Sequence, residues 1–361
     1  MISSRLPAVS AAAVAALLLT SCAGEQQQAV GIDSLTVATL GAVTPAQQAF
    51  IDRLRELSEG SVSVDLQENW QPSGDAGSPE EALTEAVAAG DVDVAWVTMR
   101  SLIAIGITGV DALEAPLLIQ THAQQREVAT GVAGEMIMRQ LRDTDIAGLA
   151  MLPGPQQFPV ASGAPLLDIA DWAGKTVEYA PGSNKDSIAA LTIQALGGTP
   201  SADGSTPVAD VVAGTVQAAT ANPADLVAGG ATKDGPFITG NLPLWPQMSA
   251  IVINRSVYER LSTRQNGFLE GAVERARDLA MTPPDLATPL NEACAAGLLF
   301  GTATTDQVTA IQAAIQPIYD KLAKDKEEGK IFEAIQEAVT RTVGVGAFSV
   351  GKSCRWVPPA A

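Results

Sequence analysis

A chain of 361 residues is long enough for a substantial core and for two domains. Apolar residues make up 47% and charged residues 17%, a globular composition and not a disordered one. The formal charge of −18 argues against nucleic acid or an anionic membrane surface as a partner, since both require Lys and Arg clusters.

The first 22 residues read as an address. Arg5 supplies a short positive region, and residues 8–19 form an almost unbroken apolar run, too short to span a bilayer comfortably but suited to a signal peptide. The run ends in Leu19-Thr20-Ser21-Cys22, which resembles the bacterial lipobox, where the cysteine is acylated and becomes the new N-terminus. Residues 1–21 are then the signal, Cys22 the lipidation site and residues 22–33, with Gln26-Gln27-Gln28, a polar tether; the alternative is an ordinary secretory signal cleaved near Ala23. Two or more acyl chains hold a protein stably to a membrane. Export also makes the remaining cysteines, Cys294 and Cys354, an even pair in an oxidising compartment, expected to form a disulfide; two unrelated buried thiols are the alternative.

A strand–helix alternation follows. Residues 35–40 read as a buried strand, and Thr44-Pro45 as an N-cap with Pro at the first helical position. That helix carries Phe50, Leu54 and Leu57 on one face and stops at Gly60. Residues 61–66 form a second strand, Ser78-Pro79 opens a helix that ends at Gly90, and residues 92–97 form a third strand. This rhythm is that of a parallel sheet wound with helices. It restarts with a strand at 175–179, a helix at 186–196 stopped by Gly197-Gly198, a helix at 208–212 and a strand at 216–220. Two such α/β units suggest a two-lobed clamp, with lobe 1 at 34–155 and lobe 2 at 156–249. Residues 250–345 read as a helical C-terminal part that partly returns to lobe 1, with helices at 268–280, 306–322 and 331–339, and residues 346–361 as a tail.

Several segments together resemble the TRAP-type (tripartite ATP-independent periplasmic) solute-binding proteins of the dicarboxylate type. They are Phe50-Ile51-Asp52-Arg53-Leu54 through Val64, Glu81-Ala82-Leu83 through Ala95, Asp168-Ile169-Ala170-Asp171-Trp172-Ala173-Gly174-Lys175-Thr176-Val177, Ala195-Leu196-Gly197-Gly198-Thr199-Pro200 with the stretch 214–223, and Val257-Tyr258-Glu259-Arg260-Leu261. The resemblance covers residues 35–339. It implies an α/β, two-lobed periplasmic-binding-protein fold with parallel-rich sheets that closes on a small molecule, typically a carboxylate. It also implies a membrane permease of two subunits as partner. The expected protein is therefore an exported binding lipoprotein on the outer face of the cell membrane; an ABC importer as partner, or a sensor or adhesin that binds a protein, are the alternatives. One departure stands out. Where the family places an arginine for the ligand carboxylate, this chain has Glu178, so either the alignment slips or the ligand is not an ordinary carboxylate.

Ligands of doubly wound sheets sit beyond the carboxyl ends of the strands, which points to Trp96 and Arg100 after the third strand. Gln157 and Phe158 lie where the chain passes between lobes. Glu178, Asn184 and Asn222 are polar candidates in lobe 2, and Phe237 and Trp245 are candidate walls. No enzyme is expected: G-x-S-x-G, phosphate-loop, H-E-x-x-H and C-x-x-C motifs are missing. His122 is the single histidine, so no multi-histidine metal site can form, and between Thr121 and Ala123 it reads as a surface or loop residue. No cofactor is expected.

Overall fold

The computed structural model describes residues 31–73, 78–179, 187–202, 207–230, 235–342, 344 and 350–357. The signal segment, Cys22, Asn184 and the last four residues of the tail lie outside the described residues. One sheet contains β1 Ser34–Ala38, β2 Ser63–Gln67, β3 Val94–Thr98, β4 Ile146–Leu152 and β11 Ser249–Asn254, in the order β2-β1-β3-β11-β4. The other contains β5 Gln156–Ala161, β6 Thr176–Glu178, β7 Thr199–Ser201, β8 Ala218–Ala221, β9 Phe237–Thr239, β10 Trp245–Pro246 and β12 Phe300–Gly301, in the order β12-β9-β5-β8-β6-β7, with β10 also paired to β5. The β1–β2, β1–β3, β6–β7 and β6–β8 pairs are parallel, as the alternating strand–helix pattern requires, whereas β5 and β11 run antiparallel to their neighbours. This is the mixed α/β, two-lobed periplasmic-binding-protein architecture.

Local chemistry explains the elements the sequence announces. Helix Pro45–Ser58 starts at Thr44, whose side chain accepts from the Gln47 amide while the Gln47 side chain accepts from the Thr44 amide. It ends with Glu59 and Gly60 both in the left-handed region, at φ 51° and 80°. Strand alternation then sorts the core. Leu35, Val37, Val94 and Trp96 face Phe50, Ile51 and Leu54 of that helix, whereas Ala38, Ala95 and Val97 face Leu83 and Val87 on the opposite side. Phe50 and Trp96 meet edge to face with ring centroids 5.0 Å apart.

Strands β4, β5 and β11 carry no such announcement. β5 contains Pro159, which lacks an N–H and argues against a central strand. Here β10 pairs with Gln156 and Gln157 while β9 pairs with Val160 and Ala161, so the proline falls in a gap along that side of the ladder. β11 places a strand at the start of the part expected to be helical; its run Ala250-Ile251-Val252-Ile253 is buried on both faces between β3 and β4.

These three strands matter because they carry the chain between the sheets. Residues 153–155 join β4 to β5, and residues 247–248 join β10 to β11. Gln247 N donates to Pro155 O at 2.9 Å, with Trp245 opposite Gln157 on one side and Ser249 opposite Leu152 on the other. The two passages thus form one antiparallel ribbon. Residues 281–286 make a third passage, from helix Thr263–Ala280, packed on helix Pro45–Ser58, to helix Ala287–Ala295, packed on helix Pro223–Ala228. A disulfide joins Cys294 to Cys354, with Cα atoms 5.5 Å apart. No described helix is long and apolar enough to cross a membrane.

Candidate functional site

A cavity of about 700 Å³ opens beside the ribbon, between the passages 153–155 and 281–286. Thr44 and Pro45, just past the carboxyl end of β1, form part of its wall, with Gln120 to His122 and Gln125 at the start of helix His122–Thr130. Pro153, Gly154, Pro155 and Gln156 line it from the ribbon. Phe158 and Asn222 to Ala224 line it from the second sheet, and residues of 279–289 complete it.

Side-chain amides lock this region. Gln125 Oε1 accepts from the Gly154 amide at 2.8 Å, and its Nε2 donates to Gln156 Oε1 at 3.3 Å. Gln156 Nε2 in turn donates to the Ile119 carbonyl at 3.1 Å. Gln157, buried, donates to Gln247 Oε1 at 2.9 Å and so ties the two strands of the ribbon together without reaching the cavity. Each bond satisfies a group that burial would otherwise leave orphaned.

Of the sequence candidates, Phe158 and Asn222 line the cavity. Asn222 caps helix Pro223–Ala228: its Oδ1 accepts from Ala224 N at 2.8 Å, and its Nδ2 donates to Asp225 Oδ2 at 2.7 Å. Trp96 is packed against Phe50 in the core of the first sheet, and Trp245 is buried in the ribbon. Phe237 is buried in β9 and Glu178 in β6, neither on the cavity wall. Asn184 lies outside the described residues.

Arg100 follows β3 as expected, but its charge faces inward. Its Nε and Nη2 donate to the two oxygens of Glu80 at 2.8 and 2.9 Å, and Nη1 lies 3.6 Å from Glu114. Burial alone pulls the guanidinium down, but Glu80 and Glu114 more than offset this and hold it above its usual value. Glu114 is pushed up to about 7, first by burial and then by Asp111 and Glu80, against the opposing pull of Arg100. A water-sized gap of about 10 Å³ separates this cluster from Gln247 and Met248 of the ribbon.

His122 is half-buried on the cavity wall rather than a plain surface residue. Its Nε2 lies 2.9 Å from the Ala280 carbonyl, which only accepts, so Nε2 carries the proton. Burial pulls its pKa down, opposed by that bond. The sequence reading passed over Thr44, Gln125 and the Pro283-Pro284 passage because each has a sufficient local account as cap, helix or loop. The strand-end rule, applied to β1 as it was to β3, finds Thr44 and Pro45.

Residues 37–326 match the family model of the bacterial extracellular solute-binding proteins, family 7. No curated protein matches the chain. Similar solved structures include a TRAP periplasmic solute-binding protein from Ochrobactrum anthropi with its C-terminus bound in the ligand-binding pocket, at 19% identity and TM-score 0.73, covering 85% of this chain and 95% of that one. One from Chromohalobacter salexigens, with bound D-glucuronate, is 18% identical with a TM-score of 0.71 and covers 84% and 99%. One from Bradyrhizobium, in complex with D-galacturonate, is 21% identical with a TM-score of 0.69 and covers 84% and 99%. The family match spans most of the chain and the fold agrees with it over both sheets; the chain belongs to the family 7 bacterial extracellular solute-binding proteins of TRAP transport, and is a binding protein and not an enzyme.

Proposed function

We propose that this protein is a lipid-anchored subunit that captures a small organic molecule between its lobes and delivers it to the permease subunits of a TRAP transporter. The observation that carries the reading is the cavity beside the ribbon. Its wall combines residues 44–46 and 120–122 on the side of the first sheet, Gln156, Phe158 and residues 222–224 on the side of the second, and the passages 153–155 and 281–286. A ligand held there contacts both lobes at once, so it favours the closed arrangement by its differential affinity for the two. The first sheet, with β11 returning to it, supports one lobe at 34–155 together with part of 250–345, and the second supports the other at 156–249. Leu19-Thr20-Ser21-Cys22 supports acylation at Cys22, which keeps the subunit beside its permease.

Three measurements test this. A thermal-shift screen of the purified protein against carboxylates, sugars and amines should give a clear rise with one chemical class, about 2.7 kcal/mol at a hundredfold excess over Kd. Scattering should then report a smaller radius of gyration with that ligand. Expressed in bacteria, the protein should sediment with membranes, and Cys22→Ser should release it. No shift with any class, from a protein that melts cooperatively, would sink the binding role; sedimentation unchanged by Cys22→Ser would sink the anchor.

A further inference from the structure

We infer that the cavity takes an uncharged, largely apolar organic molecule and not a carboxylate. This rests on the solute-capture reading above and names the ligand class of the same site. The wall is the first argument. Seven prolines line the cavity among the described residues, including Pro153, Pro155, Pro283 and Pro284, together with the ring of Phe158 and the side chains of Leu279 and Leu286. A pyrrolidine ring offers apolar surface, has no N–H to donate, and is rigid before the ligand arrives, so little ordering is lost on binding. At about 700 Å³ the space suits a multi-ring molecule, within the range of sites that enclose most of an apolar ligand.

Charge is the second argument. Among the described wall residues the ionised group is Asp285, an acid that its bonds from Thr288 and the Ala287 amide hold below the usual carboxylate range. His122 is held toward its neutral form by burial. Arg100 is paired with Glu80 and Glu114 and is not on this wall. An anion entering here would lose water opposite a like charge.

The third argument is that the amide and imidazole side chains on the described wall already donate, as does Thr282, while the hydroxyls of Thr44 and Thr121 accept from the Gln47 and Gln124 amides. Gln120 Nε2 donates to the Leu117 carbonyl, Gln125 Nε2 to Gln156, Gln156 Nε2 to Ile119, Asn222 Nδ2 to Asp225, His122 Nε2 to Ala280, and the Thr282 hydroxyl to Asp278. A carboxylate requires several donors free to turn toward it; an apolar body requires none.

Fluorescence titration with Nile red, an uncharged polycyclic dye whose emission shifts to the blue in apolar surroundings, tests the assignment on the purified protein, with sodium D-glucuronate as competitor. The expected result is saturable one-to-one dye binding, no displacement by glucuronate, and at least roughly tenfold weaker binding in Ala46→Trp and in Ala224→Trp, which obstruct the cavity from opposite lobes. Both variants are checked for a cooperative melt, and one that folds suffices. Displacement of the dye by glucuronate, or a thermal shift with glucuronate alone, overturns the ligand class and leaves solute capture standing. Dye binding unchanged in a folded variant places the dye elsewhere and also overturns it. Binding of neither probe to a folded protein overturns the solute-capture reading itself.

Discussion

Gly154 and Gln247 approach so closely that a Cβ built on the glycine would lie 1.7 Å from the Gln247 carbonyl oxygen. The oxygen belongs to backbone and a Cβ is fixed by the backbone that carries it, so neither can swing aside. The contact sits where the ribbon passes between the sheets, and the Gly154 amide is held at the same place by Gln125. Gly154→Ala must therefore push the two passages apart. We expect a loss of about 1–3 kcal/mol, the range for overpacking a tight site, read as a fall in the urea midpoint. Because the ribbon also lines the cavity, affinity for whatever ligand the thermal screen identifies should fall in the same variant. Wild-type stability and affinity would mean that the ribbon is slack.

Arg100 is the residue for which the structure most changes the sequence-based role. A guanidinium buried against two carboxylates is expensive to unpair, and removing one partner of such a group costs about 3–5 kcal/mol. Arg100→Met should destabilise by that order in chemical denaturation. Arg100→Lys should recover part of it, since the charge returns but the two-pronged geometry with Glu80 does not. If Arg100→Met keeps full stability yet abolishes ligand binding, the residue serves the ligand after all.

What could be read in advance divides along the range of the interactions involved. The β1-to-β3 unit was legible because its signals are local: Thr44-Pro45, Gly60, Ser78-Pro79 and Gly90 each stop or start an element through their own backbone preferences. The second unit was legible to within two residues for the same reason, with strands at Thr176–Glu178 and Ala218–Ala221. β5 and β11 were not legible, since Pro159 is tolerated only through a gap that distant strands leave for it. The site fared similarly. Phe158 and Asn222 lie on the cavity wall, a placement their position along the chain suggests, whereas the inward pairing of Arg100 is not legible, because nothing nearby reveals that Glu80, twenty residues earlier, and Glu114 surround it. Trp96 was a candidate by the strand-end rule and proved to be a core ring, packed on Phe50.

Glu114 makes stability depend on pH in a defined direction. Its folded value of about 7 lies above the ordinary value of 4.5, so between these the folded protein holds a proton that the unfolded chain has released. Stability from this group is therefore fully present below pH 4.5 and declines as pH rises toward about 7. The effect is of order 1–3 kcal/mol, kept below the full linkage value because Arg100 shares the titration. Glu114→Gln removes the titrating group, so its melting temperature should fall less than wild type's over that window. Parallel pH profiles for the two proteins would show that Glu114 keeps its ordinary titration.

The disulfide gives the last prediction, and its reach is local. Cys294 and Cys354 are 60 residues apart in sequence, and a loop of that length implies about 4 kcal/mol of stabilisation in the chain-entropy model. Among the described residues the tail is also held where Trp356 N donates to the Phe300 carbonyl at 3.0 Å, where Arg355 pairs with Phe300, and where Cys354 packs with Leu290, Ala293, Leu298 and Phe300. Cys354→Ser, or reduction of the wild type, should lower the melting temperature. It should also speed amide exchange at Trp356 and in helix Ala287–Ala295, with the β1–β3 sheet unchanged. The cavity should loosen too, because Leu286 and Pro289 hang on that helix end. Exchange that quickens equally in both sheets would mean that the bond holds the whole molecule and not only the corner beside the third passage.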